Sequence, residues 1–119
     1  MQIPKPTSED QERFRALVPD DPRVAVKPMF GNLGAFVNGN MFAGLFGGDI
    51  GVKLGPAEQH ELGSAGGGPF GPAERPMSGY LTLPPGLAAD EATGWLRRAL
   101  DHVAALPPKK PKPGKSSAR

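Results

Sequence analysis

His60 and His102 are the two histidines of the chain, and each stands beside a carboxylate, Glu61 or Asp101. Imidazole next to carboxylate is the raw material of a metal centre or of an acid–base site. Zinc-binding helices bring paired histidines onto one face through short spacings such as H-x3-H, whereas these two lie 42 positions apart. They read as solvated helix-surface residues. Ser64 and Ser78 each neighbour a glycine, but neither sits in the G-x-S-x-G frame that exposes a hydrolase nucleophile. Gly114-Lys115-Ser116 matches the end of a phosphate-binding P-loop, yet Lys109 occupies the place of the first required glycine. Gly66-Gly67-Gly68 could cradle an anion with backbone N–H groups, but it runs into Pro69 rather than into a helix N-terminus. Asp20-Asp21, followed by Pro22, reads as a turn and helix stop, because adjacent carboxylates seldom converge on one substrate. With no cysteine, disulfides, thiol catalysis and Cys-ligated clusters are excluded. The inventory predicts no catalytic, metal-binding or cofactor-binding residue, and hence a protein that is not an enzyme.

The elements that would position any site come from patterning. At 119 residues the chain fits one domain. Ser8 followed by Gln11 fits a capping box, and Phe14, Leu17 and Val18 make a narrow apolar stripe, predicting a helix over Ser8–Val18. Val24–Met29 reads as a strand that ends, or lies at a sheet edge, because of Pro28. Leu33–Val37 and Asn40–Phe46 flank Asn38-Gly39, the strongest short-range hairpin signal, since a type I′ turn needs positive φ at both central residues. Gly47-Gly48-Asp49 turns the chain into a fourth strand built on Ile50, Val52 and Leu54. Four strands joined by such short turns leave no room for parallel crossovers. A short helix over Pro56–Leu62, a glycine-rich loop, a fifth strand over Met77–Leu83 and a helix over Glu91–Leu106, capped by Asp90, complete the prediction. The fold class is α+β: an antiparallel sheet of about five strands with two to three helices packed against it. The domain spans residues 1–107, and residues 108–119 read as a flexible Pro- and Lys-rich tail.

Pairing the hairpin about Asn38-Gly39 sets Phe36 opposite Met41 and Ala35 opposite Phe42. One face then carries Phe36, Met41, Ala43 and Leu45, and the other Leu33, Ala35, Val37, Phe42 and Phe46. Both are apolar, so the central strands are expected to be covered twice. Helices cover one face; the other calls for the rest of the chain, a second copy or a partner.

Charge is unevenly placed. The formal net charge is +2, with a pI near 9.2. Lys109, Lys110, Lys112, Lys115 and Arg119 place five bases in the last eleven residues, leaving nine bases against twelve acids, or −3, before them. The basic pI therefore reports a tail on a mildly acidic body. Such a tail could bind DNA or RNA phosphates weakly and without sequence selectivity, and it holds no aromatic residue to stack on bases. The amino-terminal residues lack a signal-peptide core, and no apolar run approaches ~18 residues. A cytoplasmic protein that does not enter a membrane is expected.

The order of Lys27-Pro28-Met29-Phe30-Gly31, then Phe36-Val37-Asn38-Gly39-Asn40-Met41-Phe42-Ala43-Gly44, then Pro76-Met77, then Trp95-Leu96-Arg97-Arg98-Ala99-Leu100 resembles the TfoX N-terminal domain family. The resemblance covers roughly residues 8–107. It implies helices against an antiparallel sheet, no assigned catalytic chemistry, and a link to the bacterial TfoX/Sxy regulators of natural competence, which act in transcription control. The expected function is therefore a regulatory or protein-interaction domain meeting a protein partner, or a second copy, through a sheet face or edge. Met29, Phe30, Phe36, Phe42 and Phe46 are the candidate contact residues. The alternative is a small nucleic-acid-associated protein binding phosphates through its tail.

Overall fold

A computed structural model describes residues 5–29, 32–71, 77–84 and 86–107. The elements run α1 (Ser8–Leu17), β1 (Val24–Met29), β2 (Asn32–Val37), β3 (Asn40–Phe46), β4 (Asp49–Lys53), α2 (Pro56–Ser64), β5 (Tyr80–Thr82) and α3 (Ala89–Ala104). The five strands pair in sequence order, each antiparallel to the next, so the expected α+β meander is what forms. The predicted tail lies outside the described residues.

The N-cap of α1 lies one residue earlier than predicted. Thr7, not Ser8, is the N-cap: its hydroxyl accepts from the Asp10 amide at 3.0 Å, and the Asp10 carboxylate accepts from the Thr7 amide at 2.9 Å. Asp10 fills the third-position role that Glu or Gln usually takes in such a box. Thr7→Ala should cost about 1 kcal/mol, read as a lower urea midpoint with an unchanged m-value. After α1, the Asp21 carboxylate accepts from the Arg23 amide at 2.9 Å and from both ends of its guanidinium at 3.0 and 2.8 Å. Arg23 holds that carboxyl down to about 2. Asp21 thus serves the turn into β1.

Asn38 and Gly39 take φ of 54° and 81°, the positive pair that a type I′ turn requires. Val37 faces Asn40 and Phe36 faces Met41, as the sequence predicts. Beyond that pair the prediction fails: Ala35 faces Ala43, because a β-bulge inserts Phe42. One inserted residue reverses the faces of everything after it. Ala43 and Leu45 join Leu33, Ala35 and Val37 on the helix side, and Phe46 crosses to the side of Phe36 and Met41.

On the helix side, α3 lies over β3 and β4 and against α1. Its apolar stripe buries Ala92, Leu96, Ala99, Leu100 and Val103 against Phe14, Phe42, Val52 and Leu62. α3 starts at Ala89 with Ala88 as a cap lacking a side-chain bond; Asp90, the predicted cap, lies inside the first turn and accepts from the Glu91 amide. β5 is shorter than predicted because Gly79, at φ 85°, turns the chain just before it.

The sheet's two borders differ. Gly68 lies alongside β5, exchanging bonds with the Thr82 amide and hydroxyl, and Pro69 bridges to Leu81. β1 is the open border, and Pro28 sits within its ladder opposite Leu33.

Candidate interaction surface

The face opposite the helices is built on a line of glycines. Gly34, Gly44 and Gly51 pair in register across β2, β3 and β4. Each leaves room that a neighbouring side chain takes. The Phe36 ring reaches 2.9 Å from where a Gly34 Cβ would stand, and Met41 sulfur 3.1 Å. Phe70, from the loop after α2, lies over Gly51 so closely that a Cβ there would be 2.3 Å from its Cγ. The same ring reaches Gly44. Phe70 is 3% exposed, so the remaining chain supplies part of the cover that the sequence calls for on this face.

Around Phe70 the rings continue. Phe46 meets it edge-on at 6.2 Å between centroids, and Tyr80 lies 6.0 Å away on the other flank. Phe36, Phe46 and Tyr80 remain half-buried, with their outer parts open to solvent. Two lysines complete the face. Lys27 Nζ sits 5.4 Å from the Phe36 centroid and Lys53 Nζ 5.7 Å from that of Tyr80, both in cation–π range.

The bulge explains Tyr80. It disturbs the ladder next to Met41, and the Tyr80 hydroxyl donates to the Met41 carbonyl at 2.7 Å. Burial pushes the phenol up to about 12. The unfolded chain ionises this group near pH 10, so the stabilisation is complete below that value and is lost as pH rises towards 12. Tyr80→Phe should lower stability by about 1 kcal/mol at neutral pH through the lost bond. It should also remove this part of the alkaline destabilisation, read from urea midpoints across pH 9–12. As the chain holds one tyrosine, ultraviolet titration reads Tyr80 alone.

The structure brings together only part of the predicted surface. Phe36 and Phe46 lie on this face. Phe42 does not: it is 0% exposed, in the core under the helices with Leu33, Ala35 and Val37. Met29 ends β1, paired with Asn32, and Phe30 lies outside the described residues. Lys109, Lys110, Lys112, Lys115 and Arg119 also lie outside them. Sequence reasoning missed Phe70, Tyr80, Lys27 and Lys53. One signal was present, since Gly44 and Gly51 stand symmetrically about Gly47-Gly48, as paired glycines must. It also missed Asn32, 5% exposed, whose Oδ1 accepts from the Gly47 amide at 2.8 Å and ties one turn to another.

Elsewhere, Trp95 packs under the Arg98 guanidinium at 4.5 Å, and Arg98 pairs with Glu61 at 3.0 Å across α2 and α3. His60 is exposed on α2, and His102 is half-buried beside Gly55. Among the described residues no group of three metal-ligating side chains converges, and no helix is long and apolar enough to cross a membrane.

Fold and surface together define a small α+β domain whose meander sheet has one helix-covered face and one aromatic face. The chain belongs to the TfoX N-terminal domain family, whose model matches residues 5–103. No curated protein and no solved structure matches it.

Proposed function

We propose that this chain is a regulatory domain of the TfoX type, linked to transcription or competence control, which acts by binding and not by catalysis. Its contact surface is the aromatic face of the sheet. The observation that carries the reading is the gathering of Phe36, Phe46 and Tyr80, each half-buried, on the side of the sheet that none of the described helices covers. Rings left partly in water beside cations are the composition of a contact patch, whereas the buried stripe of α3 has its partners already.

The test is complementation. Transcripts that change when the gene is deleted should return with the wild-type chain. They should not return with Phe36→Ser, nor with Ala25→Glu, which adds a charge at an exposed position paired with Phe36. Circular dichroism and melting confirm that both variants fold. Unchanged transcripts on deletion, or full rescue by both variants, would overturn the proposal.

A further inference from the structure

Resting on the reading that the aromatic face is the contact surface, we infer that its ligand is single-stranded nucleic acid. The first support is chemical pairing. Half-open rings offer stacking to flat unpaired bases, and an ammonium group stands over two of them, Lys27 at Phe36 and Lys53 at Tyr80. The second is charge. The ion pairs among the described residues engage Arg23 and Arg98; Lys27 is exposed, Lys53 half-buried, and neither pairs with a carboxylate of the described residues. A phosphate chain neutralises such cations and gains from counterion release.

Dimensions agree with this ligand. Lys27 lies on β1 and Lys53 on β4, strands that stand three spacings or about 14 Å apart across the sheet. Sheet surfaces that bind single-stranded RNA stack two or three bases over such a width. Phe36 on β2 and Met41 on β3 lie between the strands that carry the two lysines, Tyr80 stands next to Lys53 on β5, and the Tyr80–Met41 bond holds that ring in place. Asp49 faces Phe46 across the β3–β4 ladder, which keeps phosphates away from that end and directs the strand along the Phe36–Tyr80 side. In a duplex the bases are stacked on one another and cannot reach the rings, so a preference for single strands follows.

Fluorescence anisotropy of the full chain with a labelled oligothymidylate, and with a duplex of equal length, tests the inference. Tighter binding to the single strand is expected. Phe36→Leu, which keeps an apolar side chain, should weaken it about tenfold. Lys27→Gln with Lys53→Gln should flatten the salt slope by about 1.4, at roughly 0.7 per single-strand phosphate. Ala25→Glu, on an exposed position, should weaken binding without touching the core. Absence of binding at low salt, or equal affinity for duplex, would overturn the inference. So would binding that ignores Phe36→Leu and disappears when Lys109, Lys110, Lys112 and Lys115 become Gln, because the tail would then be the site. If the oligonucleotide fails to bind while Ala25→Glu still blocks transcript rescue, the surface stands and its partner is a protein.

Discussion

Phe42→Ala is expected to lower folding stability by ~3–5 kcal/mol, a large share of the ~5–15 kcal/mol available to a domain of this size. Phe42 is the bulge residue, 0% exposed, and lies in one cluster with Phe14, Leu96 and Leu100. Truncating it leaves a cavity where β3 meets the helices, and a bulged strand is poorly placed to collapse into the gap. Phe36→Ala, on the half-open face of the neighbouring strand, should cost less than about 2 kcal/mol. Urea denaturation with constant m-values measures both. If the two costs came out equal, or reversed, Phe42 would not be the buried residue between β3 and the helices, and the packing of this strand would be misplaced.

The second large effect is a steric one at Gly51. An added Cβ would stand 2.3, 2.4 and 2.6 Å from three ring carbons of Phe70, distances at which the ring must leave. Gly51→Ala should therefore cost about 1–3 kcal/mol through overpacking. The near-ultraviolet signal of Tyr80 should change as well, since Phe70 lies 6.0 Å from it. The cost belongs to the pair and not to β4. In a Phe70→Ala background the obstruction is gone, and Gly51→Ala should be close to neutral, giving a coupling energy of the same size in a double-mutant cycle. A cost that persists without Phe70 would refute the contact.

The hairpin shows how far the sequence could be read, and where reading stops. Asn38-Gly39 announces its turn because backbone sterics leave few residues able to take positive φ twice, and the first two cross-strand pairs follow directly. The bulge has no such marker. Phe42, Ala43 and Leu45 are apolar, so either register buries apolar residues, and only the packed structure decides between them. That one slip moves Phe46 onto the open face and carries Ala43 and Leu45 to the helix side. Phe70 was hidden for a different reason. It follows a run of glycines whose local preferences are weak, and its place is fixed by distant backbone at Gly44 and Gly51. The α3 helix was legible because its period is local: Ala92, Leu96, Ala99, Leu100 and Val103 recur at helical spacing and are buried, with Trp95 left half-buried under Arg98. The caps of α1 and α3 shift by one or two positions: Thr7 and Ser8 are both good capping types and local geometry chooses between them, whereas α3 starts from Ala88 with no side-chain cap to mark it.

Pro28 has a consequence beyond its own strand. β1 is the outermost strand, and a proline fits in its ladder only by turning its nitrogen, which carries no hydrogen, away from β2. A newcomer zipping along that border would meet a missing donor at Pro28 and the charge of Lys27 beside it. Gly68 and Pro69 occupy the opposite border. The molecule is thereby protected from polymerising edge to edge into fibrils, and it can leave a greasy aromatic flank wet without inviting runaway stacking of its own copies.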